Sequence, residues 1–209
     1  MTPDELLTTT RTVRRRLDLT RPVPLSLVRE CLEIALQAPS GSNREPWHWI
    51  VLTDPETRAA VGELYARSMR DYLASPRSAA RLFAGDPDRA RTQRRIGDSA
   101  AHLAEHIAEV PVLVIPCLRV RELPEGSQAG VWSSLFPAVW SYMLAARARG
   151  LGTAWTSAHL AYEREVAALL GLPDDVRQGA LVPTAYYTGE TFRPAPRRPL
   201  EESLHLDRW

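Results

Sequence analysis

Residues 134–155 read SLFPAVWSYMLAARARGLGTAW, and this stretch organises the reading of everything around it. Phe136 to Arg149 forms a strong helical pattern that stops at Gly150, where a glycine closes a helix at little conformational cost. A short segment, Thr153 to Ser157, follows at once. Working upstream, Val110 to Leu118 is an apolar run read as a buried strand, preceded by a helical stretch from Ala100 to Glu109. Trp47 to Thr53 is rich in aromatic and β-branched residues and predicts another strand. Between them, Asp54-Pro55 is a helix start, an N-cap acceptor followed by proline at the first helical position. Met69 to Arg95 is the least regular part, dense in Arg, Ala and Asp, and is expected to form mobile helices or a lid. Nearer the N-terminus, Pro3 to Thr9 predicts a short helix. Pro24 to Ala38 predicts a longer one, with Leu27, Val28, Cys31, Leu32, Ala35 and Leu36 on one face. Downstream come a helix from Tyr162 to Leu170 and a last strand from Gly179 to Tyr187.

The 209 residues fit one domain with an arm, and 44% hydrophobic content suffices for a real core. The formal charge of +1 provides no field that would drive the chain onto nucleic acid or acidic membranes. All 26 basic side chains counted as Lys+Arg are arginine, the residue suited to bidentate phosphate contacts. Cys31 and Cys117 lie far apart and form no CxxC pair, which argues against a disulfide scaffold or zinc knuckle and for a reducing, cytoplasmic setting. The opening MTPDELLTTT has no apolar core, so no secretory leader is expected. The run Val110–Leu118 is too short to span a bilayer. The tail, residues 188–209, is rich in proline and arginine yet ends on Leu204, Leu206 and Trp209, anchors that disordered tails seldom carry.

Three separated segments share a chemistry. Arg11-Thr12-Val13-Arg14-Arg15 puts a hydroxyl among guanidinium groups, a set that suits a phosphate dianion. Ala38-Pro39-Ser40-Gly41-Ser42-Asn43-Arg44-Glu45-Pro46-Trp47 is a small-residue loop whose backbone can approach a polar ring edge, with Asn supplying donor and acceptor. In the tail, Arg193, Arg197 and Arg198 sit among prolines that keep the backbone extended. Taken singly, each has an ordinary explanation as solvated charge or turn chemistry.

Taken together and in order, RTVRR, APSGSNREPW, SLFPAVWSYMLAARARGLGTAW and PRRPLEESLHLDRW resemble the nitroreductase-like FMN-dependent oxidoreductases over nearly the whole chain. The resemblance implies an α+β fold, a three-layer α-β-α sandwich with a mainly antiparallel central sheet. It also implies a homodimer with FMN at the subunit interface, residues 188–209 forming an arm that wraps the partner. Carried over by position, Arg11, Thr12 and Arg197 would hold the FMN phosphate, and Arg14 the pyrimidine edge of the ring. Pro39, Ser40, Gly41 and Asn43 would come from the other subunit, with Ser134 facing the same site. Trp155, Thr156 and Ser157 would pass along the ring. The implied activity is a ping-pong transfer of hydride from NADH or NADPH, through flavin N5, to a small acceptor such as a nitroaromatic, quinone or enone. No catalytic side chain is nominated, because the flavin carries the chemistry. Thr10, Arg16 and Glu45 depart from residues common in relatives, which leaves the packing at Arg16 open.

Other chemistries fare worse. His102 and His106 are four apart, but HLAEH is not HExxH and no third ligand is apparent, so no metal is expected. There is no GxGxxG fingerprint and no GxSxG elbow. Trp132, Trp140, Trp155 and Trp209 could stack on an acceptor but fit a core or interface role. Arg89, Arg91, Arg94 and Arg95 could bind nicotinamide phosphates or acidic substrates, although such runs are commonly solvated. His159 follows the ring-lining segment and could touch substrate or cap the next helix. Two further outcomes keep the same fold: a flavin-sequestering protein without reductase activity, or a flavin-fragmenting or dehalogenating enzyme.

Overall fold

The computed structural model describes residues 1–209. A five-stranded sheet of β1 (Trp47–Leu52), β2 (Val112–Arg119), β3 (Leu151–Thr153), β4 (Val176–Gln178) and β5 (Val182–Tyr186) lies between two helical layers. The order is β1-β2-β5-β3, with β4 also against β2, and all the strand pairs are antiparallel. Strand β2 is central. Its odd-numbered side chains Leu113, Ile115 and Cys117 enter one core with Tyr65, Leu103 and Ile107. Its even-numbered Val112, Val114 and Leu118 enter the other, with Val28, Val139 and Tyr142. That period-two division of one apolar run between two cores makes the sandwich. Helices α3 (Pro55–Ala74), α4 (Pro87–His106) and α7 (Glu163–Leu170) cover the first core. Helices α2 (Leu25–Ala35) and α6 (Phe136–Ala148) cover the second. The short helices α1 (Pro3–Thr9) and α5 (Ala129–Trp132) complete the chain, and no helix is long and apolar enough to cross a membrane.

The strand expected at Gly179–Tyr187 forms over Val182–Tyr186, and a further strand, β4, precedes it across a break that Pro116 explains. Pro116 sits inside the central strand with no N–H to donate. Its carbonyl accepts from Gly179 N at 2.8 Å, so its donor-less side faces the junction between β4 and β5. The partner strand is therefore two short pieces, one on each half of β2. The region 69–95 is also more regular than its composition suggests. Helix α3 runs to Ala74 and α4 begins at Pro87, capped by Asp86, leaving mainly residues 75–86 irregular.

The stretch 134–155 folds as its pattern indicates. Helix α6 ends at Ala148, and Gly150 has φ +78°, beyond the reach of most side chains without strain. Two residues later, Gly152 has a different task. A Cβ there would stand 3.1–3.2 Å from three side-chain atoms of Val13. The glycine lets the N-terminal segment lie on β3, where Thr12 bridges Thr153 in parallel and Val13 N donates to Thr153 O at 2.8 Å.

Arg16, the departure noted in the sequence, is accommodated by the tail. Its Nε and Nη1 donate to the carbonyls of Thr188 and Thr191 at 2.6 and 3.0 Å, and its guanidinium lies 4.1 Å from the Phe192 ring centroid. The buried Arg147 packs against Phe192 from helix α6 and donates to the Tyr187 hydroxyl. Residues 188–193 are thus clamped to the same chain. Beyond them, Leu200, Leu204, Leu206 and Trp209 are all exposed.

Replacing Gly152 by Val should force Val13 and the segment behind it off β3. Urea denaturation should show a loss of about 1–3 kcal/mol, the usual cost of overpacking. An unchanged midpoint would mean the close approach does not constrain the N-terminal segment.

Candidate functional site

The edge contact with β3 carries Arg11 and Arg14 to one side of the chain ending β3, and two joined chambers open there. The first, about 520 Å³, is lined by Tyr65, Met69 and Tyr72 of α3, by Ile96 of α4, and by Trp155, Thr156 and Ser157. The second, about 660 Å³, is lined by Thr10, Arg11, Thr12, Arg95, Trp140 and Arg197, among others. Arg14 and Ile96 border both. No carboxylate lines either chamber, so the second concentrates four guanidinium groups without an opposing acid.

Arg14 at the waist is half-buried. Its one hydrogen bond to the chain goes to Ser99 Oγ at 3.2 Å. Burial lowers its pKa, opposed by the phenols of Tyr65 and Tyr72. A cation withdrawn from water with no counter-anion is an incomplete arrangement that an anionic or electron-rich ligand would complete. Burial pushes the Tyr65 phenol up, against the pull of its hydrogen bond from Thr156 Oγ1 at 3.4 Å and of Arg14. The Ser157 N–H donates to no group of the chain and is exposed at the chamber wall.

Arg11, Thr12, Arg14 and Arg197, expected together from the sequence, therefore share one cleft, with Trp155, Thr156 and Ser157 beside them. Pro39, Ser40, Gly41, Asn43 and Ser134 do not line either chamber of this chain. They form a second group. Gly41 N donates to Ser134 Oγ at 3.0 Å and Glu45 N to Ser40 Oγ at 3.1 Å. Ser42, Asn43 and Glu45 all have left-handed backbones, φ +54°, +53° and +49°. Three left-handed residues within four positions of an exposed loop, with Arg44 alone in the ordinary helical region, cost on the order of 1–2 kcal/mol each.

The sequence reading missed Tyr65, Met69 and Tyr72. Their i, i+4, i+7 spacing would have placed them on one face of α3, had that helix been followed past Met69. Of the four tryptophans weighed as stacking partners in the sequence, Trp155 and Trp140 reach the cleft. Trp132 stacks on Phe136, and Trp209 is exposed at the tail end. On the flank of α4, His102, Glu105 and His106 bring their ligand atoms within 4.8 Å of one another, and His106 is already engaged with Glu109 at 2.7 Å.

Comparison with known proteins yields consistent findings. The Nitroreductase family model matches residues 7–186. A NADH dehydrogenase of Thermus thermophilus is 31% identical over 86% of this chain and 84% of its own. An iodotyrosine deiodinase of Thermotoga neapolitana is 26% identical over 91% and 89%. A solved structure of an FMN and NADPH-dependent nitroreductase variant from sphigopyxis sp. strain HMH superposes over the full length of both chains with a TM-score of 0.74 at 24% identity, a likeness of fold.

His159, just past Trp155–Ser157, is fully buried, and neither ring nitrogen has a partner. Burial depresses its pKa from 6.5 to about 4. The fold thus keeps His159 neutral while the unfolded chain takes up a proton near pH 6.5. Stability should therefore fall by roughly 3 kcal/mol as pH drops from about 6.5 to about 4. Denaturation of His159→Leu at several pH values should show that part of the slope gone; an identical slope would remove His159 as its source.

Proposed function

The chain belongs to the nitroreductase family, and on that premise we propose that it is an FMN-dependent oxidoreductase using NADH or NADPH to reduce a small acceptor such as a nitroaromatic, quinone or enone. The observation that carries this reading is the acid-free cleft, with arginines crowding one end and flat aromatic walls at the other. When bound, FMN supplies the hydride chemistry, and the protein supplies binding, orientation and electrostatics. Arg11, Thr12 and Arg197 hold the phosphate by charge-assisted hydrogen bonds. Arg14, at the waist, holds the polar edge of the ring and favours its electron-rich form. Trp155 and Thr156 flank the ring, and the Ser157 N–H offers a free donor beside it. Tyr65, Met69 and Tyr72 shape the space left for the second reactant and exclude water from it.

The site is completed by a second copy of the chain. The strained loop carrying Pro39, Ser40, Gly41 and Asn43, pinned to Ser134, is exposed and idle in one protomer. A homodimer gives it the partner's cleft to close. Exposed Ile34 and Leu36 around the end of α2, Phe136 and Trp140 on α6, and the apolar end of the tail supply the surface such a dimer needs. The segment 188–209, expected as an arm, is held by its own chain through Arg193 and lines its own cleft at Arg197, so the part free to lie on the partner is the apolar end from Leu200. The match to a deiodinase keeps a dehalogenating reaction in view. That reaction, flavin fragmentation and flavin storage without turnover would all use this cleft, and product analysis after NAD(P)H addition separates them.

Arg197→Ala should weaken FMN binding by roughly ten- to a hundredfold, the loss of one charge-assisted contact. Asn43→Ala should weaken it separately and alter the visible flavin spectrum. Mixed dimers of the two variants provide the decisive form. If Arg197 and Asn43 reach one site from different subunits, each mixed dimer regains one intact site, and half the wild-type flavin titrates with wild-type affinity. No recovery in purified mixed dimers would sink the interface assignment.

A further inference from the structure

The cleft does not end at the arginine-lined second chamber. A third chamber of about 490 Å³ continues outward, sharing Thr92, Ile96, Pro196 and Arg197 with the second and adding Arg89, Gln93 and Arg198. We propose that this outer end, between Arg89 on α4 and Arg198 on the tail, binds a phosphate of the nucleotide donor, and that it selects a ribose carrying a 2′-phosphate, making NADPH the preferred reductant. The inference rests on the flavin reading above, which assigns the second chamber to the FMN phosphate.

Charge accounting carries the argument. A phosphate monoester brings at most two negative charges. The second chamber alone sets Arg11, Arg14, Arg95 and Arg197 around it, with no lining acid. Arg89 and Arg198 then add two further cations within one connected trench, whose one acid is Asp88. Asp88 is itself drawn to Arg91, which does not line the cleft, at 3.7 Å. Arg89, Arg95 and Arg197 form no ion pair in the chain, so this surplus is not neutralised internally. Nor is Arg89 a loose surface chain. Its guanidinium lies 3.3 Å from the Phe83 ring centroid, which leaves its edge donors for a ligand. Arg198 meets Glu202 at 3.4 Å on an exposed face, a weak contact that a phosphate would outcompete. Gln93 adds a neutral donor to the chamber wall, whereas the Thr92 hydroxyl there already donates to the Asp88 carbonyl at 3.2 Å.

The four-arginine run on α4 thus divides by geometry. Arg89 and Arg95 border the trench, whereas Arg91 and Arg94 do not. The same trench, passing Ile96 and Arg14, leads directly into the aromatic chamber where the nicotinamide end would be needed. With FMN in the first two chambers, the donor would lie over the flavin, its redox end against the aromatic wall and its anionic end at this outer, arginine-bearing wall.

The test uses flavin-loaded protein and two probes that differ by one group, adenosine 2′,5′-bisphosphate and adenosine 5′-monophosphate, titrated by calorimetry at low salt. The bisphosphate should bind at least about tenfold more tightly. The double variant Arg89→Gln, Arg198→Gln should bring the two to parity while retaining its flavin absorbance. Equal binding in the wild type, or discrimination that survives in the double variant, overturns the proposal. So does a result in which the double variant loses affinity for 4-nitrobenzoate and not for the bisphosphate, since the subsite would then serve an acidic acceptor. A yellow protein without discrimination refutes this inference alone. Protein that never takes up FMN refutes the flavin reading beneath it.

Discussion

The backbone contacts that place the N-terminal wall of the cleft are those of the parallel bridge between Thr12 and Thr153, among them the 2.8 Å bond from Val13 N to Thr153 O. They are possible because Gly152 presents no side chain to Val13. Everything functional in the N-terminal segment is read from that tether. Val13 turns into the core, so its neighbours Thr12 and Arg14 turn outward, and Arg14 arrives beside Trp155–Ser157 at the waist of the cleft. The same chain that leaves β3 lines the first chamber before returning to bridge Leu181 at Thr156. One short edge therefore aligns two walls of the site.

A second constraint closes the other side. Arg16 and Arg147, with no carboxylate partner, grip residues 187–192 through carbonyls and aromatic faces. The tail is thereby redirected toward the N-terminal segment, where Arg11 donates to the Arg193 carbonyl at 2.8 Å. Arg197 reaches the second chamber only because those earlier residues are fixed. The cost of withdrawing two guanidinium groups from water is partly offset by the stacking and hydrogen bonds they make. The distribution of charge follows: arginines line two chambers that contain no acid, an arrangement that attracts an anion.

Much of this was legible in the sequence because its signals are local. Gly150 ends α6, Asp54-Pro55 starts α3, and the alternation in Val112–Arg119 splits one strand between two cores. The family resemblance grouped the N-terminal and tail arginines, and Arg11, Thr12, Arg14 and Arg197 do line one cleft. What escaped is non-local. The break between β4 and β5 arises from a proline on another strand. Arg16 makes sense only against Phe192, over 170 residues away in the chain. Tyr65 and Tyr72 lie on a helix whose weak amphipathicity concealed its length. The loop at 39–43 does not line the cleft of its own chain, and its left-handed backbone at Ser42 and Asn43 has no signature in the sequence beyond small and polar residues.

The central claim is tested most directly by the absorbance spectrum of the purified protein, recorded before and after adding NADPH without oxygen. The account predicts a visible flavin spectrum that bleaches on addition and returns when a nitroaromatic acceptor is supplied. A colourless protein that takes up no added FMN, or bound flavin that neither nicotinamide cofactor reduces, would contradict it.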